Sequence, residues 1–389
     1  MTSTAPGQRL TVLQTCFSRS WGGLEMHALG VSALLQTRGH TVRLACLANS
    51  RLQEEARARS VPLLPLRTPG YVHPIQLARL ARQMHHHRVD VIHCHQSRDI
   101  AVAVPAMLLS GDRRPVILSK SVGSYIMKRD VLHRLTHAHI SRVLAISSVI
   151  HRNVIETTPI RPERVITYPF FVNTEHFAPQ RADRGRLRTE FGVSPASVLI
   201  GFVGRFSPGK GHEELLRAAV ILRKRHPEAR FLVVGEASYG EETYHREILD
   251  MASRLGLGDI VAFTGFRRDV PDVMAAFDIL AFPSHAEAFG MVLIEAMAME
   301  RPVVSTNCDG VVDIVVDGVT GLTVPPKDPV ALAAATERML ADGTLRERSG
   351  KAGRQRVLEL FDQEKQIDRL ESIYAELMAE ARAPEAPSR

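Results

Sequence analysis

Cysteine is scarce in this 389-residue chain: Cys16, Cys46, Cys94 and Cys308 are the only four, and none stands at metal-ligand spacing from another. Neither a disulfide framework nor a cysteine-based zinc site therefore organises the fold, and a reducing compartment is expected. Aromatic residues make up 5% of the chain, with a single tryptophan, and no groove-reading or base-stacking motif occurs, which argues against a nucleic-acid partner. No apolar run approaches the roughly 18 residues of a spanning helix, and the N-terminus lacks the apolar core of a signal peptide. A cytoplasmic protein that does not cross a membrane is the expectation. Metal ligands are also missing. There is no DxD pair, and the contiguous His85, His86 and His87 do not share one helical face, so no metal and no other cofactor is expected.

What is present begins with length and charge. A chain of 389 residues is comfortable as two domains. Residues 1–190 carry 26 Lys+Arg against 12 Asp+Glu, a net of +14, so the total of +7 leaves −7 for residues 191–389. A basic half joined to an acidic half points to an anionic partner for the first, with membrane headgroups or a phosphorylated glycolipid as the reading and a solvated basic surface as the bland alternative. A peripheral position at the inner face of the cytoplasmic membrane follows as an expectation.

Apolar, β-branched segments alternate with helical periodicity along the whole chain. Leu10–Cys16, Thr41–Leu47, Val89–His93, Val116–Ser119, Val143–Ile146 and Val165–Thr167 read as strands in the first half. Val198–Val203, Arg230–Val234, Ile260–Phe263, Ile279–Phe282, Pro302–Ser305 and Gly321–Val324 do so in the second. The fold class is α/β with parallel sheets, in two Rossmann-like domains. The polar stretch Gln180–Arg188 reads as the linker, which gives domains of 1–182 and 183–361.

Two stretches carry chemistry. In the first, the strand Val198–Val203 runs into Gly204-Arg205-Phe206-Ser207-Pro208-Gly209-Lys210-Gly211 and then into a helix. Free amides and the helix dipole at such a loop favour an anion, while the Arg205 fork and the Lys210 point charge offset that of a leaving diphosphate. Gly204 to Lys210 also matches the opening of a P-loop, but Gly211 stands where the magnesium-binding hydroxyl belongs. A plain glycine turn with solvated cations is the competing reading.

The second stretch is Glu287-Ala288-Phe289-Gly290-Met291-Val292-Leu293-Ile294-Glu295, following the strand end at Pro283-Ser284. A helix is predicted from about Phe289 to Met299, with Glu287 in the preceding loop and Glu295 inside it. Sugar hydroxyls need acceptors of this kind; a paired structural carboxylate is the other reading of Glu295. A nucleotide carrying a sugar would use both stretches.

Together these stretches resemble the signature of the family 4 retaining glycosyltransferases. Gly22-Gly23-Leu24-Glu25, Arg38-Gly39-His40, Asp90-Val91-Ile92-His93, Ala145-Ile146-Ser147 and Gly318-Val319-Thr320-Gly321-Leu322 follow in the family's order, so the likeness spans residues 8–380. The resemblance implies the GT-B fold, two Rossmann-like domains facing across a cleft, with a last helix (362–389) returning to the first. It implies a sugar-nucleotide donor, a UDP- or GDP-sugar, on the second domain and a glycan or glycolipid acceptor such as lipopolysaccharide on the first. Arg205, Lys210 and Glu287 would be the catalytic set. Gly22, Gly23, Gly204, Phe266, Phe289, Gly290, Met291 and Glu295 would bind the nucleotide sugar, with Phe266 beside the base. Front-side attack, in which the acceptor proton passes to the leaving phosphate, is the favoured route to retention, since no nucleophilic carboxylate is identified.

For the acceptor, His95, Lys120 and Ser121 are the expected contacts. Ser121 stands where relatives often carry histidine, and Phe171, Asn173 and Glu300 also depart from the family pattern. A soluble small-molecule acceptor and a catalytically silent scaffold are the alternative functions, and retention of Arg205, Lys210, Glu287 and Glu295 argues against the latter.

Overall fold

The computed structural model describes residues 9–67, 73–111, 113–238 and 240–382. Contacts divide the chain into two units: Phe170 closes the main stretch of the first, Phe171–Gln363 forms the second, and the first resumes at Glu364.

In the first unit the strands are β1 (Thr11–Cys16), β2 (Thr41–Leu47), β3 (Leu63–Leu66), β4 (Val91–Cys94), β5 (Val116–Lys120), β6 (Ile140–Ala145) and β7 (Val165–Thr167). They form one sheet ordered β3-β2-β1-β4-β5-β6-β7, and each pairing is parallel. The helices are α1 (Gly23–Thr37), α2 (Arg51–Ala58), α3 (Pro74–His86), α4 (Ile100–Leu109), α5 (Val131–His137) and α6 (Ser148–Thr157). Central strands covered on both faces need continuous apolar sequence, and β4 and β5 are buried at every position. Strand β3 was not predicted. It is short, and Pro65 interrupts it, which the sheet tolerates because β3 lies at an edge.

The second unit begins, in order, with α7 (Arg184–Glu190), β8 (Val198–Val203), α8 (His212–Arg223), β9 (Ala229–Val234), α9 (Glu242–Arg254), β10 (Val261–Phe263), α10 (Val270–Ala276) and β11 (Ile279–Phe282). It continues through α11 (Met291–Ala298), β12 (Val303–Thr306), β13 (Gly321–Val324), α12 (Pro329–Ala341) and α13 (Gly343–Leu360). Its sheet is parallel and ordered β10-β9-β8-β11-β12-β13. Its core gathers Phe202, Phe206, Leu216, Leu222, Phe231 and Ile279 between the sheet and its helices.

The last helix, α14 (Gln363–Arg382), packs within the first unit. Arg38 reaches Glu364 at 2.6 Å and Asp368 at 2.8 Å, and His40 Nε2 lies 2.9 Å from Glu371. The Tyr374 hydroxyl lies 2.7 Å from His93 Nδ1. The Arg38-Gly39-His40 triplet thus holds a helix more than 300 residues away in sequence.

The division between the units falls before the sequence-based join at 182/183. Residues after Phe170 are drawn into the second unit: Val172 N–H donates to Phe361 O at 2.9 Å, Gln363 N–H donates to Val172 O at 3.1 Å, and Thr174 Oγ1 donates to Asp362 at 2.5 Å. The stretch 180–188, read as a linker, is fixed instead. Asp183 caps α7, Arg186 pairs with Asp269 at 2.5 Å and Asp272 at 2.6 Å, and Arg188 pairs with Asp278 at 2.9 Å.

Candidate functional site

Strand β8 has β9 on one side and β11 on the other, so the loops leaving β8 and β11 diverge at the switch point of the second sheet. In open parallel sheets that point, at the carboxyl ends of the strands, is where ligands bind. Both predicted stretches occupy it.

The loop from Gly204 to Gly211 is shaped by close approach. Gly211 caps α8 at φ 83°, and a Cβ there would lie 2.2 Å from the Pro283 carbonyl oxygen, so only glycine brings this loop against the one after β11. His285 N–H donates to Gly209 O at 2.8 Å, a second tie between the loops. The His285 ring lies 3.1 Å from Glu214 of α8 without hydrogen-bond alignment, a contact that is ionic when the ring is protonated.

Lys210 Nζ donates to Glu287 Oε2 at 2.5 Å, and both side chains keep about a fifth to a quarter of their surface in water (25% and 20%). Arg205 is exposed and donates to Ser238 Oγ at 3.1 Å. Glu287 is held at its backbone, where its N–H donates to Asp309 Oδ2 at 3.2 Å and its carbonyl accepts from Gly310 N–H at 2.9 Å. Gly204 N–H donates to Val234 O at 3.0 Å, which keeps the loop start in line with the sheet.

Helix α11 starts where expected. Gly290 caps it at φ 109°, a conformation that costs other residues, and Phe289 is buried before it. Met291 opens the helix and is half-buried. Glu295 lies one turn on, half-buried, its carboxylate with no hydrogen-bond or ion-pair partner among the described residues. Desolvation pushes its carboxyl up to about 7. Phe266, after Thr264-Gly265, is 54% exposed. An unpartnered carboxylate and a bare aromatic ring at strand ends are groups that a ligand would cover.

In the first unit the predicted residues separate into two environments. Gly22 precedes α1 and Gly23 opens it, with Glu25 folded against that helix start. His95 is buried. Its Nε2 lies 2.7 Å from Gln14 Oε1, its ring stacks on His93 at 4.5 Å, and burial pulls its pKa down to about 3. The sequence reading set His95 among the acceptor contacts; residues two apart in a strand share a face, and His95 is enclosed with His93.

Lys120 ends β5, buried, and donates from Nζ to Ser97 Oγ at 2.9 Å; desolvation, assisted by Lys128, lowers its pKa to about 8. Ser121 follows, with its hydroxyl oxygen shielded from water and unpartnered. Sequence reasoning missed Ser238, Asp309, His285, Glu214 and Ser97, because each acts on its partner through the fold rather than through sequence spacing. Among the described residues no cluster of three His, Cys, Asp or Glu could hold a metal, and no helix is long and apolar enough to cross a membrane.

Comparison with known proteins places this geometry. Residues 183–356 match the model of glycosyl transferases group 1, and residues 21–176 match that of glycosyltransferase family 4. A D-inositol 3-phosphate glycosyltransferase of Salinispora arenicola is 30% identical over 297 residues, 73% of this chain and 63% of that protein. The chain spans about two thirds or less of the length of the curated relatives it matches. A glycosyltransferase of Rickettsia africae shares the fold at a TM-score of 0.86, with 21% identity over 95% of this chain and 99% of that one. Anabaena HepE, solved with UDP and glucose, does so at 0.80, with 22% identity over 94% and 100%. With its two parallel-sheet units in the GT-B fold and both motifs in place, the chain belongs to the family 4 glycosyltransferases.

Proposed function

We propose that the second unit binds a sugar nucleotide, a UDP- or GDP-sugar, and that the chain moves the hexose to a hydroxyl of a glycan or glycolipid acceptor such as lipopolysaccharide, with retention and without metal. The observation that carries this reading is the 2.5 Å contact of Lys210 with Glu287, which joins a phosphate-type loop and a sugar-type loop at one pair of strand ends.

In the proposed step the acceptor oxygen bonds to the anomeric carbon while the bond from that carbon to the diphosphate oxygen breaks. The acceptor proton passes to the departing phosphate. Arg205 and Lys210 offset the charge that grows there, so their effect is largest in the transition state. Glu287 accepts from sugar hydroxyls, aided by the amides at the start of α11. Glu295 accepts from the ribose, and Phe266 lies against the base.

In this reading Arg205 and Lys210 offset the diphosphate charge in the place a metal would otherwise take. Lys120 and Ser121 serve the acceptor side, where the unpartnered Ser121 hydroxyl has an unmet bond to offer once an acceptor displaces the groups that shield it.

A second reading, a small soluble acceptor, is favoured by the name of the Salinispora relative, whose acceptor is an inositol phosphate. Thermal-shift titration with UDP-, GDP- and ADP-sugars, followed by product analysis with lipid-linked and water-soluble acceptors, tests both. A ligand at 100 times its Kd stabilises by about 2.7 kcal/mol. No shift with any sugar nucleotide would leave only the silent scaffold.

A further inference from the structure

The segment between β5 and the end of α5 displays apolar side chains to solvent in a way that neither the core nor the candidate site explains. Val122 is 59% exposed, Tyr125 fully so, Ile126 66% and Met127 61%; Val131, Leu132 and Leu135 follow at 72%, 68% and 63%. In α5 these last three stand at positions i, i+1 and i+4, so the short helix turns an apolar face to water while His137 points inward, buried. Contiguous exposed apolar surface of this kind marks an interaction face.

This presentation is built. Ser124 N–H donates to Asn153 Oδ1 at 2.7 Å, and Asn153 Nδ2 returns a bond to Ser124 O at 3.0 Å. Lys128 N–H donates to Thr157 O at 2.7 Å, and the Arg129 guanidinium donates to Glu156 O at 2.9 Å. The loop is thereby fastened to α6, and its apolar side chains have nowhere to fold but outward. Asp130 caps α5 through His133 N–H.

Charge selects the occupant. Lys128, Arg129 and Arg134 are interleaved with the apolar residues, and Asp130, the single acid from Val122 to Leu135, is occupied by the helix start and by the His133 ring. The same half of the chain carries its +14 excess. Apolar side chains interleaved with cations match the headgroup zone of an anionic bilayer.

We propose that residues 122–135 are the surface by which the chain docks on an anionic lipid bilayer. The apolar side chains enter the acyl boundary while Lys128, Arg129 and Arg134 meet lipid phosphates. The segment follows directly on Lys120 and Ser121, so docking holds the proposed acceptor groups near the lipid surface. The inference rests on the lipid-linked reading of the acceptor, and its test does not depend on catalysis.

The test is co-sedimentation of the full chain with phosphatidylcholine vesicles, with and without phosphatidylglycerol, comparing the natural chain with I126E/L132E. Both positions are exposed, so the variant should keep its melting temperature and its thermal shift with a sugar nucleotide. The expected result is binding to the anionic vesicles that falls at least about tenfold in the variant and falls with added salt. Equal sedimentation of both chains, or none by the natural chain, overturns the proposal. So does a concentration-dependent dimer of the natural chain that the substitutions abolish, since the face would then belong to a second copy. Vesicle binding retained in a chain that ignores every sugar nucleotide would uphold docking while removing the proposed reaction.

Discussion

Lys210 and Glu287, 77 residues apart in sequence, meet at 2.5 Å where the loops after β8 and β11 come together. The contact makes each loop's position depend on the other. It also sets the Lys210 charge beside a carboxylate, the pairing that the proposed transfer from a sugar diphosphate uses.

Exchanging either cation should lower turnover more than stability. Lys210→Ala is expected to reduce kcat by about 10²–10³, the usual cost of removing one electrostatic stabiliser of the transition state. Arg205→Ala should do the same with its melting temperature nearly unchanged, because Arg205 is exposed and makes one side-chain bond. A double-mutant cycle of Lys210→Ala and Glu287→Ala should show a coupling of about 1 kcal/mol in unliganded stability, modest because both groups are partly solvated. Chemical denaturation of the four proteins measures it.

Glu295 gives the unliganded protein a pH signature. Its folded pKa of about 7 lies above the unfolded value, so protonated Glu295 is the favoured form, and stability is full below the unfolded pKa of 4.5 and lost as pH rises through 7. Glu295→Gln should remove that loss, leaving the variant relatively more stable at pH 8 by up to about 3 kcal/mol. Melting curves at pH 5 and pH 8 decide, and a pH-independent difference between the two chains would refute the assignment.

Histidines in the first unit act in the opposite direction. His27 and His95 have folded pKa values of about 3, below the usual 6.5, so their contribution is present above 6.5 and is lost as pH falls toward 3. Replacing His95 with Gln should flatten the acid limb of the stability profile by about 2 kcal/mol at pH 5. Urea unfolding at pH 7 and pH 5 reads this directly.

Phe266 tests the base-binding side. Its ring is 54% exposed, so Phe266→Ala should alter stability by no more than about 0.5 kcal/mol while weakening nucleotide binding by about 1–3 kcal/mol of lost stacking. Calorimetric titration of both proteins separates the two effects; unchanged affinity would place the base elsewhere.

His285 should behave as a positioning residue. It ties the two loops through its N–H on Gly209 O and its ring beside Glu214. His285→Ala keeps the backbone bond and loses the ring contact, so kcat should fall with KM little changed. A change confined to melting temperature would make the ring contact purely structural.

The parallel sheets and both candidate loops were legible because they are written locally: apolar runs bounded by glycines, and a helix start after Gly290. Strand β3 escaped because Pro65 breaks its pattern, and only the partner strand β2 makes an edge of it. The units divide before the expected join because Val172 and Thr174 bond to residues near 361 and 362, which local sequence cannot show. His95 could not be separated from an acceptor contact by spacing alone. Gln14 and His93 pack against it, and both are held by Tyr374, which arrives from the far end of the chain. The apolar face of α5 was equally hidden, since three apolar residues in a short helix read as core until their exposure is known.

Calorimetric titration of UDP, GDP and ADP into the natural chain and into Arg205→Ala/Lys210→Ala tests the central claim most directly. The account predicts that at least one nucleoside diphosphate binds and that the double substitution weakens it about a hundredfold or more, with the melting temperature of the unliganded variant within a few degrees of the natural chain. Equal affinity in both proteins would contradict it, because the diphosphate would then be held by other groups.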